Sequence, residues 1–224
     1  MPKSTTAEAE PPSPGLRERK KAQTRELIAA TARRLFEERG FDAVTVAEVA
    51  REAEVAEKTV FNYFPAKEDL FYSRLEAFEE EMLAAIRGRD TGQSVIAAFR
   101  GFVLRRRGAL HIEDDDEATE RLRTINRVIT GSPALLAREQ LLFARYTESL
   151  ARLIAEETRA AADAAEPWVV ANALMGVHRN LIDYVRERTR AGTPARDIAR
   201  RVRTRARRAF ALLEEGLSDY AVKA

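Results

Sequence analysis

The chain has 224 residues, of which 45% are hydrophobic and 33% charged, and its formal net charge at pH 7 is +2. This length suffices for a substantial core in one large or two small domains, whereas the small net charge means that any contact with a polyanion needs a local basic patch. There is no cysteine, which excludes disulfides, thiolate nucleophiles and the common zinc-finger ligand sets.

The N-terminal segment predicts a disordered tail over residues 1–15, MPKSTTAEAEPPSPG, because Pro, Ser, Thr and Glu dominate it. It lacks the apolar core of a signal peptide. No apolar run elsewhere approaches the ~20 residues needed to cross a bilayer. We therefore expect a cytoplasmic protein with no membrane partner.

Apolar residues at helical spacing predict a first helix over residues 17–39, with a buried stripe formed by Leu27, Ile28, Thr31, Ala32, Leu35 and Phe36. Gly40 is expected to cap this helix in a left-handed conformation, with Phe41 folding back onto it. Basic residues open the helix, and two interpretations stay open: a solvated face, or an arm that contacts phosphates or the minor groove. The residues concerned are Arg17, Lys20 and Lys21, and the second interpretation depends on the helix-turn-helix that follows them in the chain.

Two short helices come next. Thr45 and Glu48 form a capping-box pattern that predicts a helix over residues 46–53, and a turn over residues 54–56 precedes a helix over residues 57–64. Neither is long enough to be stable alone. Packed together they make a helix-turn-helix, whose second helix presents polar side chains to DNA.

The sequences LFEERGFDAVTV (35–46) and TVFNYFPAKEDLF (59–71) carry a family resemblance. With the specific phrase Tyr63-Phe64-Pro65-x-Lys67-x-x-Leu70, residues 16–78 resemble the N-terminal domain of the TetR/AcrR family of bacterial transcriptional regulators. The resemblance implies an all-α fold: an N-terminal three-helix helix-turn-helix DNA-binding domain and a C-terminal helical ligand-binding and dimerisation domain. Two positions depart from the family pattern. Glu54 stands where glycine is common, and Ala56 replaces the usual serine or threonine cap.

The family positions also imply the contacts with a double-stranded DNA operator. Thr45, Tyr63 and Lys67 match positions that contact phosphates, and hydroxyl and ammonium groups suit that role; for Thr45 the cap alone is a sufficient explanation. Residues 57–62 of the second helix are expected to contact the base edges. There Lys58 suits guanine, Asn62 adenine and Glu57 cytosine, while Thr59 or Phe61 suits a thymine methyl. For Phe61, packing on the first helix is an equal alternative.

The remaining chain predicts helices over residues 67–87, 91–107, 115–130, 133–162, 166–191 and 194–217, separated by Gly- and Pro-containing loops. The fourth helix begins in the motif and continues beyond it. We expect a DNA-binding domain over residues 16–66 and a regulatory and dimerisation domain over residues 67–224.

A single recognition helix contacts few base pairs, so we expect a homodimer on a near-palindromic operator. The last two helices carry two apolar stripes that could join in a four-helix bundle: Leu174, His178, Leu181 and Val185 in one, and Ile198, Val202, Ala206, Ala209, Leu213 and Leu217 in the other. The alternative is that one or both stripes close the subunit's own core.

The resemblance further implies a repressor released by a small-molecule effector. Candidate ligand contacts combine apolar bulk with a few polar tips and favour a hydrophobic or aromatic effector: Phe99, Phe102, Ile125, Phe143, Tyr146, Trp168, Asn172, Met175 and His178. Each is also explained by core packing. A rival is a DNA-binding regulator or activator whose C-terminal domain binds a protein partner. No HExxH, GxSxG or P-loop motif is present, so we expect no enzyme, no cofactor and no metal site.

Overall fold

The computed structural model describes residues 15–73, 76–105 and 116–217, and within these ranges the secondary-structure elements are α-helices joined by turns and short loops. In chain order the helices are α1 Leu16–Arg39, α2 Val46–Glu52, α3 Glu57–Tyr63, α4 Lys67–Tyr72, α5 Glu76–Arg87, α6 Val95–Arg105, α7 Asp116–Gly131, α8 Pro133–Thr158, α9 Glu166–Arg190 and α10 Ala195–Leu217. The predicted tail lies outside the described residues, apart from Gly15. The predicted all-α fold is confirmed.

The first four helices are here called the N-terminal head, which includes α4, placed by the predicted boundary in the second domain, because α4 packs on α1. Ile28, Ala32 and Phe36 of α1 are fully buried, but Leu27 is 52% exposed and does not belong to the buried stripe predicted for this helix. Gly40 has φ +82°, and its N–H donates to the Phe36 carbonyl at 2.9 Å. This positive φ ends α1 and lets Phe41 fold back, so that its ring centroid lies 4.9 Å from that of Phe36.

The fourth helix differs from the prediction. Helix α4 ends at Tyr72, Ser73 lies in a 3₁₀ turn, and α5 begins at Glu76, with residues 74–75 outside the described ranges. The single helix predicted over residues 67–87 is therefore found as two. Two other boundaries moved for local reasons: Gly92, with φ +80°, forms a turn before α6, and Arg159, with φ +51°, ends α8 before the predicted residue 162.

Helices α5–α10 form the C-terminal domain, in which α9 packs against both α8 and α10. The two stripes predicted to form a dimer interface are largely buried inside the single chain, because Leu174, Leu181, Ile198 and Val202 are at most 3% exposed. Of the remaining members, His178, Val185 and Ala206 are also buried, Ala209 and Leu213 are half-buried, and the Leu217 side chain lies outside the described part. These stripes close the subunit's own core, so their assignment to a dimer interface was wrong. None of the helices in the described ranges is long and apolar enough to cross a bilayer.

Candidate nucleic-acid interface

The start of α2 is held by a complete capping box. The Thr45 hydroxyl accepts from the Glu48 backbone N–H at 3.2 Å, while Glu48 Oε2 accepts from the Thr45 N–H at 2.8 Å and from its hydroxyl at 2.9 Å. Arg39 donates to the other Glu48 carboxylate oxygen at 2.8 Å. The Thr45 N–H bond, then Arg39 and the Thr45 hydroxyl, lower the pKa of Glu48 to about 2. The Thr45 hydroxyl therefore already donates its hydrogen to the Glu48 carboxylate.

The turn between α2 and α3, whose geometry the sequence leaves open, is left-handed at Glu54. Glu54 has φ +54°, its N–H donates to the Arg51 carbonyl at 3.2 Å, and the Val55 N–H reaches the Ala50 carbonyl at 3.0 Å. These two bonds make a Schellman motif. Ala56 then begins α3 without a side-chain cap. The two family-atypical residues therefore occupy a helix end and a helix start with ordinary backbone hydrogen bonding.

Helix α3 is anchored on one side and exposed on the other. Val60 is fully buried, and Phe64, just after the helix, is 1% exposed; the Arg25 guanidinium lies 4.7 Å from the Phe64 ring centroid. The outward side carries the predicted base-reading residues: Glu57, Lys58, Phe61 and Asn62 are exposed, and Thr59 is half-buried, as is the predicted phosphate contact Tyr63. The Phe61 side chain is 45% exposed, so it lies at the surface and not in the core.

Lys67, the first residue of α4, has partners inside the head. Its Nζ donates to the Phe41 carbonyl at 2.7 Å and lies 4.1 Å from the Phe41 ring centroid. Partial burial lowers its pKa, against the opposing effect of Asp42, Glu68 and Glu48. An ammonium group has three N–H donors, so one bond to Phe41 leaves donors that can reach a phosphate.

The basic candidates in the first segment lie within α1 and not on an extended arm. Arg17, Lys20 and Lys21 all fall in the first two turns of the helix, which begins at Leu16, and all three are exposed. They can approach phosphates from a helix. The described part of the segment provides no extended chain for the minor groove.

Part of the predicted ligand set comes together in the C-terminal domain. Phe78, Phe102, Phe143, Tyr146 and His178, here called the aromatic cluster, meet between α5, α6, α8 and α9. The Phe78 ring stacks on His178 at 4.9 Å and lies 5.3 Å from Phe102 and 5.1 Å from Tyr146, while Phe143 lies 5.8 Å from His178. Phe99 and Met175, both buried, complete the predicted residues found in the core.

Phe78 was missed by the sequence prediction, although a signal for it exists. It recurs with Met82 and Ile86 at i, i+4 and i+8, and all three are at most 3% exposed. That spacing marks the buried face of α5. Phe78 contacts three other members of the cluster and lies at its centre.

Three other ligand candidates lie elsewhere. Ile125 is 38% exposed and Trp168 is 50% exposed, and the Asn172 amide donates to the carbonyl of Trp168 at 2.7 Å on the surface of α9. These three candidates therefore do not lie with the aromatic cluster. Val169, next to Trp168, and Leu212 of α10 are further exposed apolar side chains, at 58% and 71% exposed.

Two concavities of the described part of the domain lie away from the aromatic cluster. A surface groove of about 360 Å³ between α9 and α10 is lined by Asn180, Asp183, Tyr184, Glu187, Arg188 and Arg205. A slit of about 10 Å³ is lined by Val103, Leu104, Leu181, Val202, Arg203 and Ala206. The described residues contain no group of three or more metal-ligating side chains.

Comparison with known proteins connects both domains to regulators. Residues 28–73 match the profile of the tetR family of bacterial regulatory proteins, and residues 93–218 match the MftR C-terminal domain. The HTH-type transcriptional regulator TcmR of Streptomyces glaucescens is 33% identical over 149 residues, which are 65% of this chain and 65% of TcmR. The transcriptional regulator MftR of Mycobacterium tuberculosis is 26% identical over 71% of this chain and 78% of its own length. Among solved structures, Salmonella enterica GusR is similar with a TM-score of 0.53 at 18% identity, covering 88% of this chain and 96% of GusR, which shows the fold alone.

Proposed function

The chain belongs to the tetR family of bacterial regulatory proteins, and from that premise we propose that it is a sequence-specific DNA-binding transcriptional regulator. In this proposal it acts as a dimeric repressor that binds a near-palindromic operator and is released by a small hydrophobic or aromatic effector. The observation that supports DNA reading most strongly is the surface of α3, where Glu57, Lys58, Phe61 and Asn62 are exposed above a buried anchor.

The proposed contacts divide into base reading and phosphate binding. Lys58 donates to guanine acceptors, Asn62 pairs with adenine, and Phe61 contacts a thymine methyl. Lys67 and Tyr63 bind phosphates near the ends of α3 and α4, and Arg17, Lys20 and Lys21 add charge from α1. Thr45 contributes by holding the start of α2, because its hydroxyl is already donated to Glu48.

The proposed dimer uses the outer face of the last two helices. Trp168, Val169 and Leu212 are exposed apolar side chains on α9 and α10. Gly176 of α9 is also exposed, and a Cβ added there would meet no atom within 4 Å. Two helices from each chain joined at this face would make a four-helix bundle. Such a dimer would bury the large side chains that a monomer leaves in water and would place two α3 helices on one operator.

The proposed effector acts on the aromatic cluster. The side chains there are packed ring against ring, so a ligand has to separate α5 or α6 from α8 and α9 to enter. A ligand that binds only the separated arrangement shifts the protein toward it by its difference in affinity for the two states. Operator affinity falls if that arrangement changes the spacing of the two heads. A compound that raises thermal stability but leaves operator affinity unaltered would contradict this part.

A second candidate is a regulator whose C-terminal domain binds a protein partner. The exposed Trp168, Val169 and Leu212 favour it, since the same face suits a foreign helix. The state of the isolated protein distinguishes the two: sedimentation as a dimer at micromolar concentration assigns the face to a second copy. Sedimentation as a single chain would refute the dimer and favour the partner.

Selection from randomised duplex DNA tests the DNA-binding proposal. We expect enrichment of a near-palindrome whose half-sites are about one helical turn apart. The selected duplex should bind two chains. A pool that shows no enrichment, or a single half-site bound by one chain, would refute a dimeric operator-binding protein.

A further inference from the structure

The first turns of α8 contact the N-terminal head at three points. The Ser132 hydroxyl, at the N-cap of α8, donates to Asp42 Oδ1 at 2.8 Å. The Tyr72 hydroxyl donates to the Leu135 carbonyl at 3.1 Å, and an Arg138 guanidinium nitrogen lies 2.5 Å from Asp69 Oδ1. Residues 132–138 therefore form a short seam between the C-terminal domain and the head.

Asp69 is the residue of this seam that binds both the start of α4 and α8. Its side chain is buried, with 7% of the residue exposed. One carboxylate oxygen accepts from the Ala66 N–H at 3.1 Å and so caps the first turn of α4. The other oxygen binds Arg138 of α8. A single buried carboxylate thus joins the start of α4 to the C-terminal domain.

Lys67 lies near two of the residues that α8 contacts, Asp69 and Asp42. Its backbone opens α4, directly after the Ala66 N–H that Asp69 binds, and its ammonium binds the Phe41 carbonyl. The residue after Phe41 is Asp42, whose carboxylate accepts a hydrogen bond from the Ser132 hydroxyl. The first two turns of α8 therefore contact both Asp69, which caps the turn that Lys67 opens, and Asp42, next to the carbonyl that its ammonium binds.

A second ion pair, next to the first along α8, connects α8 to α9. Glu139, next to Arg138, binds Arg186 of α9 through two hydrogen bonds, one of them 2.7 Å long, and both side chains are largely buried. The Nε of Arg138 is buried and lacks a hydrogen-bond partner within the described ranges, and a terminal nitrogen of the same guanidinium binds Asp69. Two consecutive α8 residues thus connect α9 to α4.

We propose that Asp69 is a positioning residue for operator binding: through its bond to Arg138, α8 sets the orientation of the α4 start and of Lys67 against DNA phosphate. The inference rests on the proposed phosphate contact of Lys67. It makes the Asp69–Arg138 pair the contact through which rearrangement of the C-terminal domain weakens DNA binding. Loss of the pair leaves α4 capped, and still bonded to α8 at its end through Tyr72, but removes the contact that orients its first turn.

Asp69→Asn separates the two roles of the carboxylate. The amide oxygen can still accept from the Ala66 N–H and cap α4, but the anion for Arg138 is gone. Arg138→Gln removes the cation and leaves the cap untouched, so it carries the test if Asp69→Asn does not fold. Arg145→Gln is the matched control, because Arg145 pairs with Glu79 at 2.9 Å within the C-terminal domain, away from the seam.

The measurement is affinity for the selected operator over a range of salt concentrations, with thermal unfolding recorded for each variant. We expect Asp69→Asn and Arg138→Gln to reduce the slope of log affinity against log salt by about one per chain, as loss of one phosphate contact does. Lys67→Ala should reduce the slope by the same amount. In the Lys67→Ala background, Asp69→Asn should reduce the slope no further. Arg145→Gln should keep the wild-type slope.

The outcomes separate the inference from its premise. If Asp69→Asn and Arg138→Gln lower thermal stability but keep the wild-type slope while Lys67→Ala reduces it, the pair is structural and the positioning role is refuted. If Lys67→Ala also keeps the wild-type slope, the proposed phosphate contact fails, and the positioning role fails with it. A wild-type protein that selects no operator refutes the proposed function itself.

Discussion

Replacing Glu54 by glycine should stabilise the protein. Glu54 is exposed and has φ +54° at the end of α2, a conformation in which its Cβ crowds the following carbonyl oxygen. The left-handed conformation costs a non-glycine residue about 1–2 kcal/mol. Since Glu54 is exposed, its side chain contributes little packing that the substitution would remove.

The expected gain is smaller than the strain. Glycine has more freedom in the unfolded chain, which offsets about 0.5–1 kcal/mol of the relief. The net gain is then about 0.5–1 kcal/mol. For a chain of 150–250 residues this corresponds to a rise in Tm of about 1–4 °C.

Glu54→Ala is the control, because it removes the same charge but keeps a Cβ in the left-handed conformation. Urea unfolding and thermal melting of the three proteins at equal concentration would measure the difference. We expect Glu54→Gly to exceed both wild type and Glu54→Ala in stability. If Glu54→Gly is no more stable than Glu54→Ala, backbone strain at this turn is not the cause. Any change in operator affinity shared by both variants reports the lost charge.

Three further predictions follow from single residues. Arg159→Gly should stabilise by a similar amount, since Arg159 has φ +51°, and should leave operator affinity unchanged; a lowered affinity would contradict this. The pKa of Glu48 is lowered from 4.5 to about 2, so its stabilisation is present above pH 4.5 and is lost as the pH falls toward 2. The stability difference between wild type and Glu48→Gln in urea should therefore shrink between pH 6 and pH 3, and a difference that grows would refute the capping account. Phe61→Ala should change unfolding free energy by less than about 1 kcal/mol, because Phe61 is 45% exposed, yet should weaken operator binding; a large loss of stability would instead place it in the core.

The helix-turn-helix was predictable because its signals are local. Thr45 and Glu48 stand three residues apart, and this spacing alone specifies the capping box that the structure contains. The sequence left the geometry of the following turn open, and only the structure gives Glu54 its φ of +54°. The contacts that determine the capping box lie within three residues along the chain.

The C-terminal domain was less predictable because the partner of an apolar stripe is not encoded in its spacing. Ile198 and Val202 recur at the period of a helix whether they face a second chain or, as found, the subunit's own core. Ile125 and Trp168 are large and apolar, yet they are exposed. Composition could not separate them from Phe143, which is 9% exposed.

Contacts between distant residues were not predictable from the sequence. The Asp69–Arg138 pair joins residues 69 positions apart, and neither residue type nor local pattern identifies its partner. The same holds for Lys67, whose resemblance to a phosphate-binding position gave no indication of its bond to Phe41. Such contacts depend on how helices pack and require the structure.

The most direct test of the account is the affinity of Lys58→Ala for two duplexes of equal length and composition, the selected operator and a scrambled sequence, at one salt concentration. Arg152→Ala serves as the control, since Arg152 is an exposed cation on α8. If α3 reads bases, Lys58→Ala should lose about 1–3 kcal/mol, roughly 5- to 150-fold, on the operator and much less on the scrambled duplex. An equal loss on both duplexes would contradict sequence reading by α3.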